Sequence, residues 1–225
     1  AGRGGHVSGP DAAAVPPYGR CVHSPASAIP LSDVYGRLRA HFGPQHWWPA
    51  ETPFEVCVGA ILVQNTAWTN VERALANLKR VGLLEPRPLH ALPEPELAEL
   101  IRPSGTFRVK ARRLRAFLDV LVRECAASLD ELFAGPTPEV RRRLLAISGI
   151  GPETADCLLL YAGGHARFVM DAYTRRVLTR HGWAAETAGY EALQRLCEAG
   201  LPAQEAMTRL ELWQDAHAQL VAVGK

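Results

Sequence analysis

A few short stretches of this chain pair residue types with spacings that could bind or react. In Ser148-Gly149-Ile150-Gly151, two glycines one residue apart lie between apolar-periodic segments, which reads as helix, tight hairpin, helix. Such a turn points backbone N–H groups and the positive end of a helix dipole outward, which suits a phosphate. A packed αα-corner needs the same glycines, so the spacing leaves both readings open. Further on, Asp171 follows the extended Phe168-Val169-Met170 and precedes a helical run, the position of an N-cap. Gln64-Asn65-Thr66-Ala67-Trp68 sets hydrogen-bonding amides and an indole at the end of an apolar segment. In His46-Trp47-Trp48-Pro49-Ala50, two adjacent tryptophans cannot both face one core, so at least one lines a pocket or interface, unless both plug a junction between domains.

These groups need a scaffold, and the periodicity predicts an all-α one. Pro138 to Ile147 carries Val140, Leu144, Leu145 and Ile147 at helical spacing, with Thr137 as cap and Arg141, Arg142 and Arg143 on the other face. Pro152 opens the following helix. Ser32 caps a helix from Leu31 to Phe42. Thr52-Pro53-Phe54-Glu55 reads as a capping box opening a helix so apolar around its girth that it must be central. Further helices are expected to Gly82, over Glu94 to Ile101, Val109 to Glu124, after a capping box at Ser128, and over Ala172 to His181, Tyr190 to Cys197 and Ala203 to Val223. Pro86, Pro88, Pro93 and Pro95 punctuate a connection. No stretch alternates with period two, and no repeat recurs at a fixed period.

The 225 residues are 48% hydrophobic, enough for one large domain or two small ones sharing a core. A net charge of only +2 means that any polyanionic partner must be met by local clusters: Arg108, Lys110, Arg112, Arg113 and Arg115, then Arg141 to Arg143, then Arg175, Arg176 and Arg180. Singly, each cluster also reads as a solvated helix face. The five cysteines are odd in number and scattered, without a C-x-x-C pair or a histidine at ligand spacing. That predicts reduced, buried thiols and no metal site. Neither a membrane span nor a signal h-region is present, and a cytoplasmic, nucleoid-associated setting in a bacterium is expected. Residues 1–30, rich in Gly, Ala, Pro and Ser, read as a flexible arm.

With these residues located, the chain resembles the helix-hairpin-helix DNA glycosylase superfamily of endonuclease III, from about Leu31 to Lys225. The likeness is carried by Ser148 to Ala155 for the hairpin and Val169-Met170-Asp171 for the catalytic aspartate. Trp47-Trp48-Pro49, Gln64-Asn65-Thr66, Arg102-Pro103-Ser104-Gly105 and Glu153-Thr154-Ala155-Asp156 look most like the 3-methyladenine glycosylase branch. The resemblance implies two helical domains flanking a central DNA-binding cleft. Residues 52–163 would form a six-helix barrel bearing the hairpin, and residues 31–51 with 164–225 the second domain.

It further implies a base pocket of Trp47, Trp48, Pro49 and Trp68, a gap-filling Gln64, and a catalytic Asp171 that is also a cap. Phosphate contacts would come from Ser148, Gly149, Ile150, Gly151, Arg108, Lys110 and Arg112. Bifunctional members carry a lysine where this chain has Glu153, and a carboxylate cannot form the imine that cuts the strand, so a monofunctional enzyme is expected. Glu153 could equally do no more than stabilise the first turn of its helix. Many relatives follow a helix like His217 to Gly224 with a four-cysteine loop for an iron–sulfur cluster. No cofactor is required here, and a [4Fe-4S] cluster would need cysteines beyond Lys225. The partner would be damaged double-stranded DNA, met by a monomer.

Overall fold

The computed structural model describes residues 29–203 and 207–225, and the expected N-terminal arm lies, up to residue 28, outside the described residues. Among the described residues the chain is helical without β-strands, as the periodicity predicts. The middle of the molecule is α2 (Pro53–Leu62), buried from Phe54 through Leu62. Thr52 caps it by accepting the Glu55 N–H at 3.1 Å. The box is only half closed, because the Glu55 carboxylate turns to Lys79 Nζ at 2.8 Å and to the Glu51 N–H at 3.0 Å.

Around α2 pack α3 (Trp68–Arg80), α6 (Phe107–Asp119) and α9 (Pro152–Tyr161). Outside α6 lie α4 (Pro86–Ala91) and α5 (Glu94–Leu100). The short α7 (Leu129–Leu132) leads to α8 (Thr137–Leu145), which lies against α9. On the other side of α9 is α12 (Arg209–Gly224), against which pack α10 (Ala172–Arg180) and α1 (Leu31–Phe42), with α11 (Tyr190–Gly200) behind α1. One apolar cluster runs from Leu31 to Leu220 through all of these.

Several local expectations are corrected. Pro30, not Ser32, precedes the first turn of α1, and no side chain caps it. Thr137 lies within α8 behind Pro136, and its hydroxyl is engaged with His165 Nδ1 at 2.9 Å. The proline-punctuated connection contains α4, since Pro86 occupies a first-turn position where no N–H is needed. The helix predicted to begin at Ala203 starts at Arg209, behind a complete capping box of Thr208 and Glu211. The helix over 109–124 starts at Phe107 and loosens into a wide π turn at Val120–Glu124.

The α8–α9 crossing is fixed by charge as well as by apolar contact. Asp156 is fully buried on α9, with Arg141 of α8 gripping both its oxygens at 2.6 and 3.2 Å. Tyr190 Oη and Gln194 Nε2, both from α11, donate to the same carboxylate at 2.8 Å. Gln194 also donates to the Phe168 carbonyl, and the Met170 N–H reaches Tyr190 Oη at 3.4 Å. One buried carboxylate therefore ties the hairpin to the extended segment that delivers Asp171.

Candidate functional site

The hairpin between α8 and α9 is closed by the Ile150 N–H on the Ile147 carbonyl at 3.1 Å. Gly149 is required twice over. Its φ is +86°, and a Cβ there would overlap the side-chain carbons of Arg113. Gly151 is extended, and nothing lies within 4 Å of where its Cβ would be, so its backbone edge stands open to a ligand. Ser148 is exposed. Ile150 corrects the expected phosphate set: its side chain is buried and its N–H is spent inside the turn, so it anchors the hairpin and donates nothing outward. Replacing Gly149 by alanine is expected to cost about 1–2 kcal/mol from the left-handed backbone alone. Thermal melting should show at least that loss, and fluorescence anisotropy a weaker grip on duplex DNA.

Lys110 is a second correction. It is 1% exposed, and its ammonium donates to the Leu62 carbonyl at 2.8 Å and to the Ser104 carbonyl. Burial, and Arg113 nearby, pull it down to about 8. Lys110 thus stitches the end of α2 to the turn before α6 and presents no charge to a phosphate. Arg108 and Arg112 remain exposed on α6. The other basic clusters thin in the same way. Arg141 serves Asp156, Arg143 donates to the Leu132 carbonyl, and Arg175 donates to the Ala188 carbonyl at 2.7 Å.

Gln64, just past α2, is held at the hairpin. Its Nε2 donates to the Gly149 carbonyl at 3.2 Å and to Thr154 Oγ1 at 2.9 Å, and its Oε1 accepts from Arg113. Arg113 was read from sequence only as one of a basic group.

Asp171 caps α10, with Oδ1 accepting the Thr174 N–H at 2.7 Å. Its Oδ2 faces His217 Nε2 of α12 at 3.7 Å. Burial pushes this carboxyl up, but His217 and the Thr174 N–H outweigh it and hold the group below the usual carboxylate range. Glu153, exposed on the first turn of α9, is shifted the other way, first by desolvation and then by the charge of Asp171, with His217 opposing.

Aromatic rings enclose this corner. Trp47 stacks on His217 with centroids 5.6 Å apart and on Trp48 at 5.5 Å. Trp68 meets Trp48 edge-on at 5.2 Å, and Tyr161 tilts against Trp48 at 5.4 Å. The indole N–H groups of Trp48 and Trp68 are buried without a hydrogen-bond partner among the described residues. Trp47, Trp48 and Tyr161 also wall a cavity of about 220 Å³ that reaches Thr52 and Gln214 but not Asp171. Pro49 is exposed in the turn closed by the Ala50 N–H on the Trp48 carbonyl at 3.0 Å. The structure thus clusters Trp47, Trp48 and Trp68, and joins them to Asp171 only through His217, which with Tyr161 is an addition that sequence reading missed. The available signal was the run of polar Asp215, His217 and Gln219 on an otherwise buried helix.

Among the described residues no group of His, Cys, Asp or Glu side chains is placed to hold a metal ion. Cys57, Cys125, Cys157 and Cys197 are separately buried free thiols and do not form the four-thiolate set of an iron–sulfur cluster. No helix among them is long and apolar enough to cross a membrane.

A helical fold carrying a glycine hairpin, with a capping aspartate behind it, defines a class. Residues 58–203 match the HhH-GPD superfamily of base excision DNA repair proteins, and the chain belongs to it. It is a DNA repair glycosylase of that family. A predicted DNA repair glycosylase of Methanocaldococcus jannaschii is 43% identical over 190 residues, covering 84% of each chain. Endonuclease III of Thermotoga maritima is 27% identical over 77% of this chain and 73% of its own. Among solved structures, the Helicobacter pylori 3-methyladenine DNA glycosylase bound to 1,N6-ethenoadenine superimposes with a TM-score of 0.75 at 26% identity, covering 86% of this chain and 96% of that one. A trapped endonuclease III–DNA covalent intermediate shares the fold with a TM-score of 0.71 at 20% identity. The expected family and all-α fold are therefore found.

Proposed function

We propose that this protein is a monofunctional glycosylase that flips an alkylated purine, of the 3-methyladenine kind, out of duplex DNA and hydrolyses its N-glycosidic bond. The observation that carries the reading is the Asp171 carboxylate, held below the usual carboxylate range and faced at 3.7 Å by His217, on which the Trp47 indole stacks. Breaking the bond develops positive charge on the sugar, which a fixed carboxylate stabilises, and the same group can orient or deprotonate the attacking water. An alkylated purine is cationic, so indole faces attract it. Flipping the base costs a few kcal/mol, and Gln64 fills the gap it leaves. Ser148, Gly149 and Gly151, with Arg108 and Arg112, grip the backbone. In this reading residues 52–163 form the barrel that bears the hairpin, residues 31–51 with 164–225 form the second wall of the cleft, and the enzyme works as a monomer on damaged duplex DNA.

Glu153 stands where bifunctional relatives carry their lysine, so release should leave the strand intact. The test incubates the protein with methylated duplex and with duplexes containing 1,N6-ethenoadenine or thymine glycol, scoring base release and strand cleavage separately. Release of methylated purine without cleavage, and no covalent adduct on borohydride treatment, is the expected result. Cleavage at thymine glycol with a trapped adduct would instead establish an endonuclease III-like lyase on oxidised pyrimidines. Binding without any release would mark a catalytically silent DNA-binding protein. In Glu153→Lys, a borohydride-trapped adduct with abasic DNA should appear where the parent gives none.

A further inference from the structure

One buried polar atom beside the proposed catalytic carboxylate lacks a partner. His217 is 3% exposed, and its Nε2 makes no hydrogen bond among the described residues although it lies 3.7 Å from Asp171 Oδ2. Its other nitrogen is occupied: Nδ1 and the Tyr161 hydroxyl are 2.7 Å apart. That hydroxyl also lies 3.2 Å from the Gln214 carbonyl, which can only accept, so Tyr161 anchors the ring at Nδ1 whichever of the two groups gives the hydrogen. Across from Nε2 stands a carboxylate, which only accepts, so the contact is favourable when Nε2 carries a hydrogen. Trp47 stacks on the ring and Phe168 meets it edge-on at 6.2 Å, which fixes its plane. A separation of 3.7 Å exceeds a hydrogen bond, but such contacts are often long before substrate closes the site.

We infer that His217 is a positioning residue for Asp171: with the Thr174 N–H on the other oxygen, it holds the carboxylate from both sides and fixes the face turned toward the sugar. Tyr161 anchors the ring at Nδ1, and Trp47 links the ring to the wall of the base pocket. The inference rests on the reading of Asp171 as the base-releasing carboxylate. A histidine that merely filled space would be replaceable by phenylalanine, which keeps the ring and the stack but has no N–H.

The charged and titratable surroundings give the pairing a second signature. Asp171 is faced from α12 by His217 and from α9 by Glu153, Cys157 and Tyr161, and Asp215 of α12 acts on Tyr161. Burial disfavours its charge, whereas His217 and the Thr174 N–H favour it, and the charge of Asp171 in turn disfavours that of Glu153. Removing His217 therefore leaves burial less opposed, and Asp171 should protonate at higher pH.

The experiment compares wild type with His217→Phe, His217→Gln and Tyr161→Phe in single-turnover release of methylated purine across pH, alongside duplex affinity and melting temperature. In His217→Phe, release should fall about 10²-fold at neutral pH. Its acid limb should rise by about one pH unit or more, with affinity held within about twofold. His217→Gln restores a donor and should recover about tenfold of the loss. Tyr161→Phe, which keeps the imidazole and removes its anchor at Nδ1, should shift rate and limb in the same direction by less, and serves as the independent arm if His217→Phe does not fold. Unchanged rates and limbs in the folded variants would overturn the inference. If wild type released no base from any lesion, the functional reading would fail, and the pairing would be judged by the carboxyl carbon of Asp171 in NMR titrations. A midpoint raised by about one unit in the variants would support it, and coincident midpoints would overturn it.

Discussion

Asp171→Asn is expected to reduce base release by about 10²–10⁴-fold while leaving duplex binding and folding nearly intact. The separation follows from the two jobs of this side chain. As a cap, Asp171 needs only one oxygen to accept the Thr174 N–H, 2.7 Å away, and asparagine accepts it equally well. The stability change should therefore stay within about 0.5 kcal/mol. As a carboxylate beside the sugar it needs a full negative charge, which the amide lacks. His217 loses its anionic partner as well, without a steric change. Single-turnover release of methylated purine, anisotropy with the same duplex, and a thermal melt together check the prediction. Equal rates for the two proteins would remove Asp171 from the chemistry. A large fall in melting temperature would mean that the cap, not the charge, had been lost.

The largest effect on stability is expected from Asp156→Ala. The mutation leaves Arg141 with Glu191 at 2.9 Å and strands a fully buried site that Tyr190 and Gln194 were built to fill. Breaking a buried pair by removing one partner costs about 3–5 kcal/mol, because the remaining charge and donors stay desolvated. At about 2–4 °C per kcal/mol for a chain of this length, the melting temperature should fall by about 10 °C. Activity should fall too at temperatures where the variant is folded, since Gln194 also holds the Phe168 carbonyl ahead of Asp171. Calorimetry of Asp156→Ala against Asp156→Asn, which keeps the size and one of the two acceptor oxygens, separates lost volume from lost charge and acceptor. A drop below about 3 °C would show that apolar packing alone fixes the α8–α9 crossing.

What the sequence revealed was what local spacing determines. The central α2, the hairpin and the Asp171 cap each follow from residues within a few positions of one another, through apolar periodicity, Gly149 and an acceptor three residues before its donor. Charge was misread because a run of basic residues does not disclose its partners. Lys110 looks like its neighbours Arg108 and Arg112, yet it alone turns inward to two carbonyls some distance away in sequence. His217 was invisible for a similar reason. It stands 46 positions after Asp171, and only the packing of α10 on α12 brings the two together. Ile150 shows the opposite error, in which a residue inside the right motif was given the motif's role although its own amide was already engaged.

The bonds from Gln64 to the Gly149 carbonyl and Thr154 hydroxyl have a geometric consequence. If the hairpin holds one phosphate and Gln64 enters the helix, the two work as the jaws of a fixed-length caliper, since both are anchored to the same turn. The nucleotide interrogated then lies at a constant offset from the phosphate that is gripped. On that arrangement the two cannot be spaced independently, and inspecting the next base would move both together.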